Sequence, residues 1–177
     1  DKIVIEVNTI IPIPEAEDYI IRTEQKESQE GKMTVAKQEY LDFHNDIIQR
    51  LRPRISYTLR AADTRNYYQI PTGKSGLHFE WGFRGRPRHS FGVELHAESG
   101  DAKANRGIIS SLAVFKDVIE KKTSEEVVIQ ETWGQKWARL YIEYPSGEIT
   151  EEMKVWAVDK MEILIKIPQP EIDKIKA

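Results

Sequence analysis

The chain has 177 residues, 40% hydrophobic and 31% charged, with a formal net charge of −3. This is the composition of an ordinary globular domain, long enough to bury one substantial core. There is no Cys, which excludes disulfides, thiolate zinc sites and cysteine nucleophiles together. No apolar run nears the roughly 20 residues that cross a bilayer, and the opening DKIVIEVNTIIPIP has no signal-peptide core. These features point to a cytoplasmic protein without a membrane partner. The start at Asp1 without Met suggests a processed protein or a piece of a longer one.

The charge is unevenly distributed. Residues 50–88 hold nine Lys or Arg against only Asp63 and Glu80, whereas the segments on either side are acidic. A basic block with interleaved aromatics suits a polyanionic partner such as DNA or RNA.

In chain order, residues 3–13 alternate as a strand closed by Pro12 and Pro14, and 15–32 form a polar connection. Residues 1–32 are thus expected to be a strand and linker arm, and 33–177 a single domain. A helix is expected at about 34–51, opened by Thr34, with Ala36, Tyr40, Phe43, Ile47, Ile48 and Leu51 as its apolar stripe and Pro53 as its stop. His44 falls on its flank as a partly buried residue. Strands follow at 66–71, 77–83 and 91–97, the last two alternating apolar with mixed residues, as in an antiparallel sheet covered on one side. Ser99–Asp101 begin a long helix to about Lys122 with the stripe Ile108, Leu112, Phe115, Val118 and Ile119. A hairpin is expected from 127–132 and 137–144, turning at Gly134. A final helix at about 150–166 turns Met153, Trp156, Ala157, Met161 and Leu164 inward, and Pro168 and Pro170 leave a short tail.

This order predicts an α+β domain, an antiparallel sheet with helices on one face. Its ββα-ββα pattern is similar to the pseudo-symmetric saddle of TATA-binding proteins, a likeness of fold that carries no activity.

Two apparent motifs fail on context. Gly73-Lys74-Ser75 lacks the earlier Gly and the following helix of a phosphate loop. Glu24-Gln25-Lys26 resembles half of a nuclease metal site but sits in polar sequence rather than on a rigid apolar strand. The Ser and His residues show no nucleophile elbow or triad signature.

The sheet's mixed face is more specific. Closing strands 77–83 and 91–97 through the 84–90 loop sets Phe79 opposite Leu95 and Trp81 opposite Val93. The same register sets Glu80 opposite Glu94 and His78 opposite His96. Two carboxylates and two imidazoles in one patch suit a divalent ion, and a metal-dependent nuclease using Glu80, Glu94 and His96 is one reading. The plainer reading is a solvated face neutralised by Arg139, with no cofactor.

Within the basic block, Arg84, Arg86 and Arg88 fall in a hairpin loop with Gly85 and Pro87, and Arg60, Arg65 and Lys74 lie on or between adjoining strands. Exposed Arg bonds phosphates bidentately, and Tyr57, Tyr67 or Tyr68 would stack on bases if outward-facing. An exposed face with Trp137 and Tyr141 would instead supply a homodimer interface.

The stretch from Phe91 to Ile167 carries a resemblance. Val93-Glu94-Leu95, Asn105, Leu112, Lys116, Ile119-Glu120, Trp133, Arg139, Trp156 and Asp159 resemble a family of prokaryotic domains of unknown function, often C-terminal to a restriction-endonuclease-like domain. The resemblance implies a place in a DNA-processing or defence protein beside an upstream nuclease domain, and implies no catalytic residues. The expectation is a non-catalytic module contacting nucleic acid or a partner. The metal-dependent nuclease and the structural dimerisation domain remain as alternatives.

Overall fold

A computed structural model describes residues 33–175; the expected strand at 3–13 and the polar arm to residue 32 lie outside them. Val35–Ala177 forms one compact unit. Its first helix, α1 (Val35–Leu51), buries Phe43, Ile47, Ile48 and Leu51 as the helical spacing requires. Ala36 is exposed, because the core begins only at the third turn. His44 is fully buried rather than on the flank. Pro53, in the Arg52–Arg54 turn, ends the helix.

Three strands follow: β1 (Tyr67–Lys74), β2 (Leu77–Arg84) and β3 (Ser90–Ala97). The register of β2 on β3 is the expected one, with Phe79 on Leu95, Trp81 on Val93, Glu80 on Glu94 and His78 on His96. Side-chain parity explains why it is held. A one-residue slip would turn Phe79, Trp81, Val93 and Leu95 out of the core.

The expected long helix breaks into α2 (Ala102–Leu112), a single tight turn at Ala113–Phe115, and α3 (Lys116–Thr123). Asp101 caps α2 by accepting from the Lys103 and Ala104 amides. At its other end the Ala113 amide is shared between the Ile109 and Ser110 carbonyls, which tightens the helix to three residues per turn. The break rotates α3 so that Ile119 and Thr123 are buried while Val118 is exposed, against its expected place on the stripe.

β4 (Val128–Trp133) and β5 (Trp137–Tyr144) form the second hairpin, with Gly134 taking the positive φ its turn needs. In the closing helix α4 (Glu151–Lys166), Thr150 caps the Met153 amide and Met153, Ala157, Met161 and Leu164 are buried. Trp156 is only partly buried, against Tyr144, and donates from its indole to Glu125. The two prolines do not simply stop the chain. Pro168 and Pro170 open a further short helix, α5 (Gln169–Ile172), that buries Ile172.

The sheet order is β1-β2-β3-β5-β4, antiparallel throughout. The two hairpins meet through their second strands, β3 on β5, as a pseudo-twofold repeat of ββα units requires. Helix residues Phe43, Ile47, Ile109, Leu112, Ala157 and Met161 share one core with the apolar face of the sheet. The Trp81 indole donates to the Ala157 carbonyl at 3.1 Å, fixing α4 to the middle of β2. No helix among the described residues is long and apolar enough to cross a membrane.

Candidate functional site

The face opposite the helices is built in rows across the strands. One row runs Pro71, His78, His96, Arg139, Gln130; the next runs Gln69, Glu80, Glu94, Tyr141, Val128; a third runs Tyr67, Gly82, Gly92, Glu143. The four sequence-derived metal candidates are therefore neighbours on one face.

Glu94 is the centre of that face and is not solvated, being only 2% exposed. Its Oε1 accepts from the Arg84 guanidinium at 2.7 Å, and its Oε2 accepts from Arg139 Nη1 at 2.8 Å and pairs with His96 Nε2 at 2.8 Å. Arg84 lies over the Tyr141 ring at 4.1 Å, and Arg139 lies over Trp133 at 4.5 Å and Tyr141 at 4.6 Å. The guanidiniums and rings together cover Glu94 on a face expected to be solvated. The expected neutralisation by Arg139 is present, and Arg84 joins it.

Gly92 makes this arrangement possible. A Cβ there would stand 2.1 Å from Glu94 Oε1, so only glycine lets the carboxylate fold flat onto the sheet. In front of it a cavity of about 350 Å³ opens between Tyr67, Glu80, Gly82, Arg84 and Trp133.

The electrostatics follow from these contacts. Burial alone would raise the Glu94 carboxyl, but the His96 hydrogen bond and the charges of Arg84 and Arg139 outweigh it and hold it at about 2. Burial would likewise lower His96. Its bonds to Glu94 and, through Nδ1 at 2.9 Å, to Glu98 raise it instead to about 9. Glu80 stays apart from the Glu94 cluster, accepting from the Gln69 amide at 3.0 Å, with His78 Nε2 at 3.6 Å.

Glu98, Gln69 and Glu143 belong to this face and were not singled out from the sequence. For Glu98 a signal was present, because it continues the strand alternation through Glu94 and His96. Gln69 and Glu143 come from other strands and needed the sheet order.

The basic block disperses. Arg50 pairs with Asp46 and Glu151, Arg54 with Asp159 and Glu162, Arg65 with Asp63, Arg84 with Glu94 and Glu143, and Arg88 with Glu39. Arg84 lies on β2 rather than in the hairpin loop, and Arg88 also covers the Tyr40 and Phe83 rings. Arg86 and Arg60 are exposed. Lys74 donates to the Asp173 carbonyl at the opposite end of β1. Arg65 is exposed and lies over the half-buried Tyr67 ring at 4.8 Å. Asn66 brackets Phe83 with hydrogen bonds, which brings Arg65 and Tyr67 beside the β2–β3 hairpin that carries Arg86. Tyr68 is buried, and Tyr57 is half-buried against Phe79. Of the expected dimer face, Trp137 is 37% exposed but Tyr141 is 8% exposed beneath the two guanidiniums.

Fold and face together define an α+β domain whose charged sheet surface is closed by its own ion pairs. The family model of a domain of unknown function (DUF4268) matches residues 39–170, most of the chain, and the chain belongs to that family. No curated protein and no solved structure matches it.

Proposed function

We propose that this domain is a non-catalytic, nucleic-acid-contacting module of a prokaryotic DNA-processing or defence protein, acting in the cytoplasm beside a nuclease-like domain. The observation that carries the contact is the grouping of exposed Arg65 and Arg86 with the Tyr67 ring at one end of the sheet. Guanidiniums there meet phosphate oxygens, and a flat ring beside them accepts a stacked base. Arg60 precedes the same strand and is also exposed.

Glu94 is poorly placed to act as a general base, because both its oxygens are taken by Arg84, Arg139 and His96, which hold its carboxyl well below the usual range. Arg84 and Arg88 serve partly buried contacts between distant segments, so removing them would confuse folding with binding, whereas the Arg65 contacts to Asp63 and Tyr67 are local and exposed. The clean variant is Arg60→Ala/Arg65→Ala/Arg86→Ala. Fluorescence anisotropy with a labelled oligonucleotide, single-stranded and duplex, at rising salt is the test. Wild type is expected to bind with a log-linear salt dependence, and the triple variant to bind more weakly with a slope shallower by roughly one per lost phosphate contact. No binding by wild type at low salt, or an unchanged slope in the variant, would reject the reading.

A further inference from the structure

Beside the Glu94 cluster, His78, His96 and Glu98 each offer one ligand atom, the three atoms lying within 4.8 Å of one another. They come from two adjacent strands, with His78 directly opposite His96 and Glu98 following the end of β3. The His96 nitrogen on this side is Nδ1, 2.9 Å from Glu98 Oε1, while Nε2 on the far side meets Glu94 Oε2 at 2.8 Å. A histidine ligand is usually oriented by a carboxylate on its second nitrogen. Glu94 holds that position, and is itself fixed by Arg84 and Arg139.

We propose that His78, His96 and Glu98 form a site for one divalent transition ion of the zinc type, with Glu94 positioning His96 from behind. Two imidazoles and one carboxylate are a borderline-soft donor set that suits zinc, cobalt or nickel better than magnesium or calcium. The ion takes the place of the His96 Nδ1 proton, which leaves to solvent, and three protein donors leave a fourth tetrahedral position open. With His96 neutral, the carboxylates of Glu80, Glu94, Glu98 and Glu143 outnumber the Arg84 and Arg139 guanidiniums by two charges, which a divalent ion offsets. The sequence-derived set changes accordingly. Glu94 moves behind the ligand because both its oxygens are taken, Glu80 falls outside the group of mutually close ligand atoms, and Glu98 enters. The Gln69 amide, at 3.0 Å from His78 Nε2, gives way to the ion. His78 and Glu98 are partly exposed, so an ion reaches the site without opening the core.

The test is calorimetric titration of metal-stripped full chain with zinc chloride, with thermal unfolding in parallel and cobalt substitution followed by its visible bands. Expected are one ion per chain, a raised Tm, and the intense bands of four-coordinate cobalt. His78→Ala and Glu98→Gln alter partly exposed side chains, so both are expected to keep the wild-type circular dichroism and to bind at least about tenfold more weakly. Glu148→Gln, an acid outside the cluster, should bind as wild type. Absence of saturable binding by wild type, or equal affinity in folded His78→Ala and Glu98→Gln, would overturn the site. Neither result touches the nucleic-acid reading, which rests on Arg60, Arg65 and Arg86.

Discussion

His44 is the residue whose chemistry most directly opposes its place. Its ring is fully buried among Phe43, Tyr68 and Phe83, and neither nitrogen has a hydrogen-bond partner among the described residues. Burial, opposed only partly by the charge of Asp63, lowers its pKa from 6.5 to about 4. The unfolded chain therefore takes up the proton first as pH falls. The neutral-His44 state is fully stabilising above about pH 6.5, and that stability drains away down to about pH 4. The loss is on the order of 3 kcal/mol for a shift of that size. His44→Leu should match or exceed wild type at pH 7.5 by up to about 1 kcal/mol, since it removes two unsatisfied polar atoms. It should also flatten the slope of unfolding free energy between those pH values. Urea titrations of both proteins at a series of pH values measure this, and parallel slopes would show that His44 is not the group responsible. The helical pattern found Phe43 and Ile47 on either side of His44, but letters alone give a polar residue no depth. Its burial depended on where Phe83 and Tyr68 arrive from the sheet.

At the scale of the strand, Gly82 and Gly92 lie directly opposite each other in the β2–β3 ladder. Their surroundings differ. A methyl group at Gly92 strikes Glu94 Oε1 at 2.1 Å and meets Arg84 Nη2 at 3.0 Å, whereas at Gly82 it meets nothing closer than 3.5 Å. Gly92→Ala forces the carboxylate off its partners and leaves buried charges uncompensated, at a cost on the order of 3 kcal/mol. Gly82→Ala is expected within about 1 kcal/mol of wild type, and could be slightly stabilising through the reduced freedom of the unfolded chain. Thermal unfolding of the pair is decisive, because equal losses would mean that Glu94 has room to move. Alternation put both glycines on the polar face, and it could not separate them. The difference lies in a side chain two residues along β3 and in guanidiniums from β2 and β5. The same blindness applied to the long helix, where apolar spacing ran past the tight turn at Ala113–Phe115 and misplaced Val118.

For the whole unit, α1 supplies Phe43, Ile47, Ile48 and Leu51 to the core that the sheet shares with α4. Ion pairs of Arg50 with Glu151, Lys154 with Asp46, and Arg54 with Asp159 line the join of α1 and its following turn to α4. Being at least partly exposed, each contributes about 1 kcal/mol, while each large apolar side chain contributes about 2–5. A chain beginning at Arg52 loses all four apolar groups, together about 8–20 kcal/mol, which matches or exceeds the roughly 5–15 kcal/mol that holds a domain together. It is expected to lose its cooperative unfolding transition and to bind hydrophobic dye. A sharp calorimetric transition in that truncation would show that α1 is an accessory to the fold. The family match, beginning at residue 39 inside this helix, agrees with its place in the unit.

The sequence by itself determined the α+β class, the register of β2 on β3, the helix starts near Asp101 and Thr150, and the face on which Glu80, Glu94, His78 and His96 stand. Each of these follows from short-range periodicity, which is written locally in side-chain order. Only the tertiary structure decided that Glu94 is buried and that Glu98 lies close to His78 and His96. It also decided that the basic block at 50–88 is largely spent on internal partners. Charge along a chain says how many cations there are. Their availability depends on carboxylates such as Glu39, Glu143, Glu151 and Asp159, which come close only when α1, β5 and α4 pack into place.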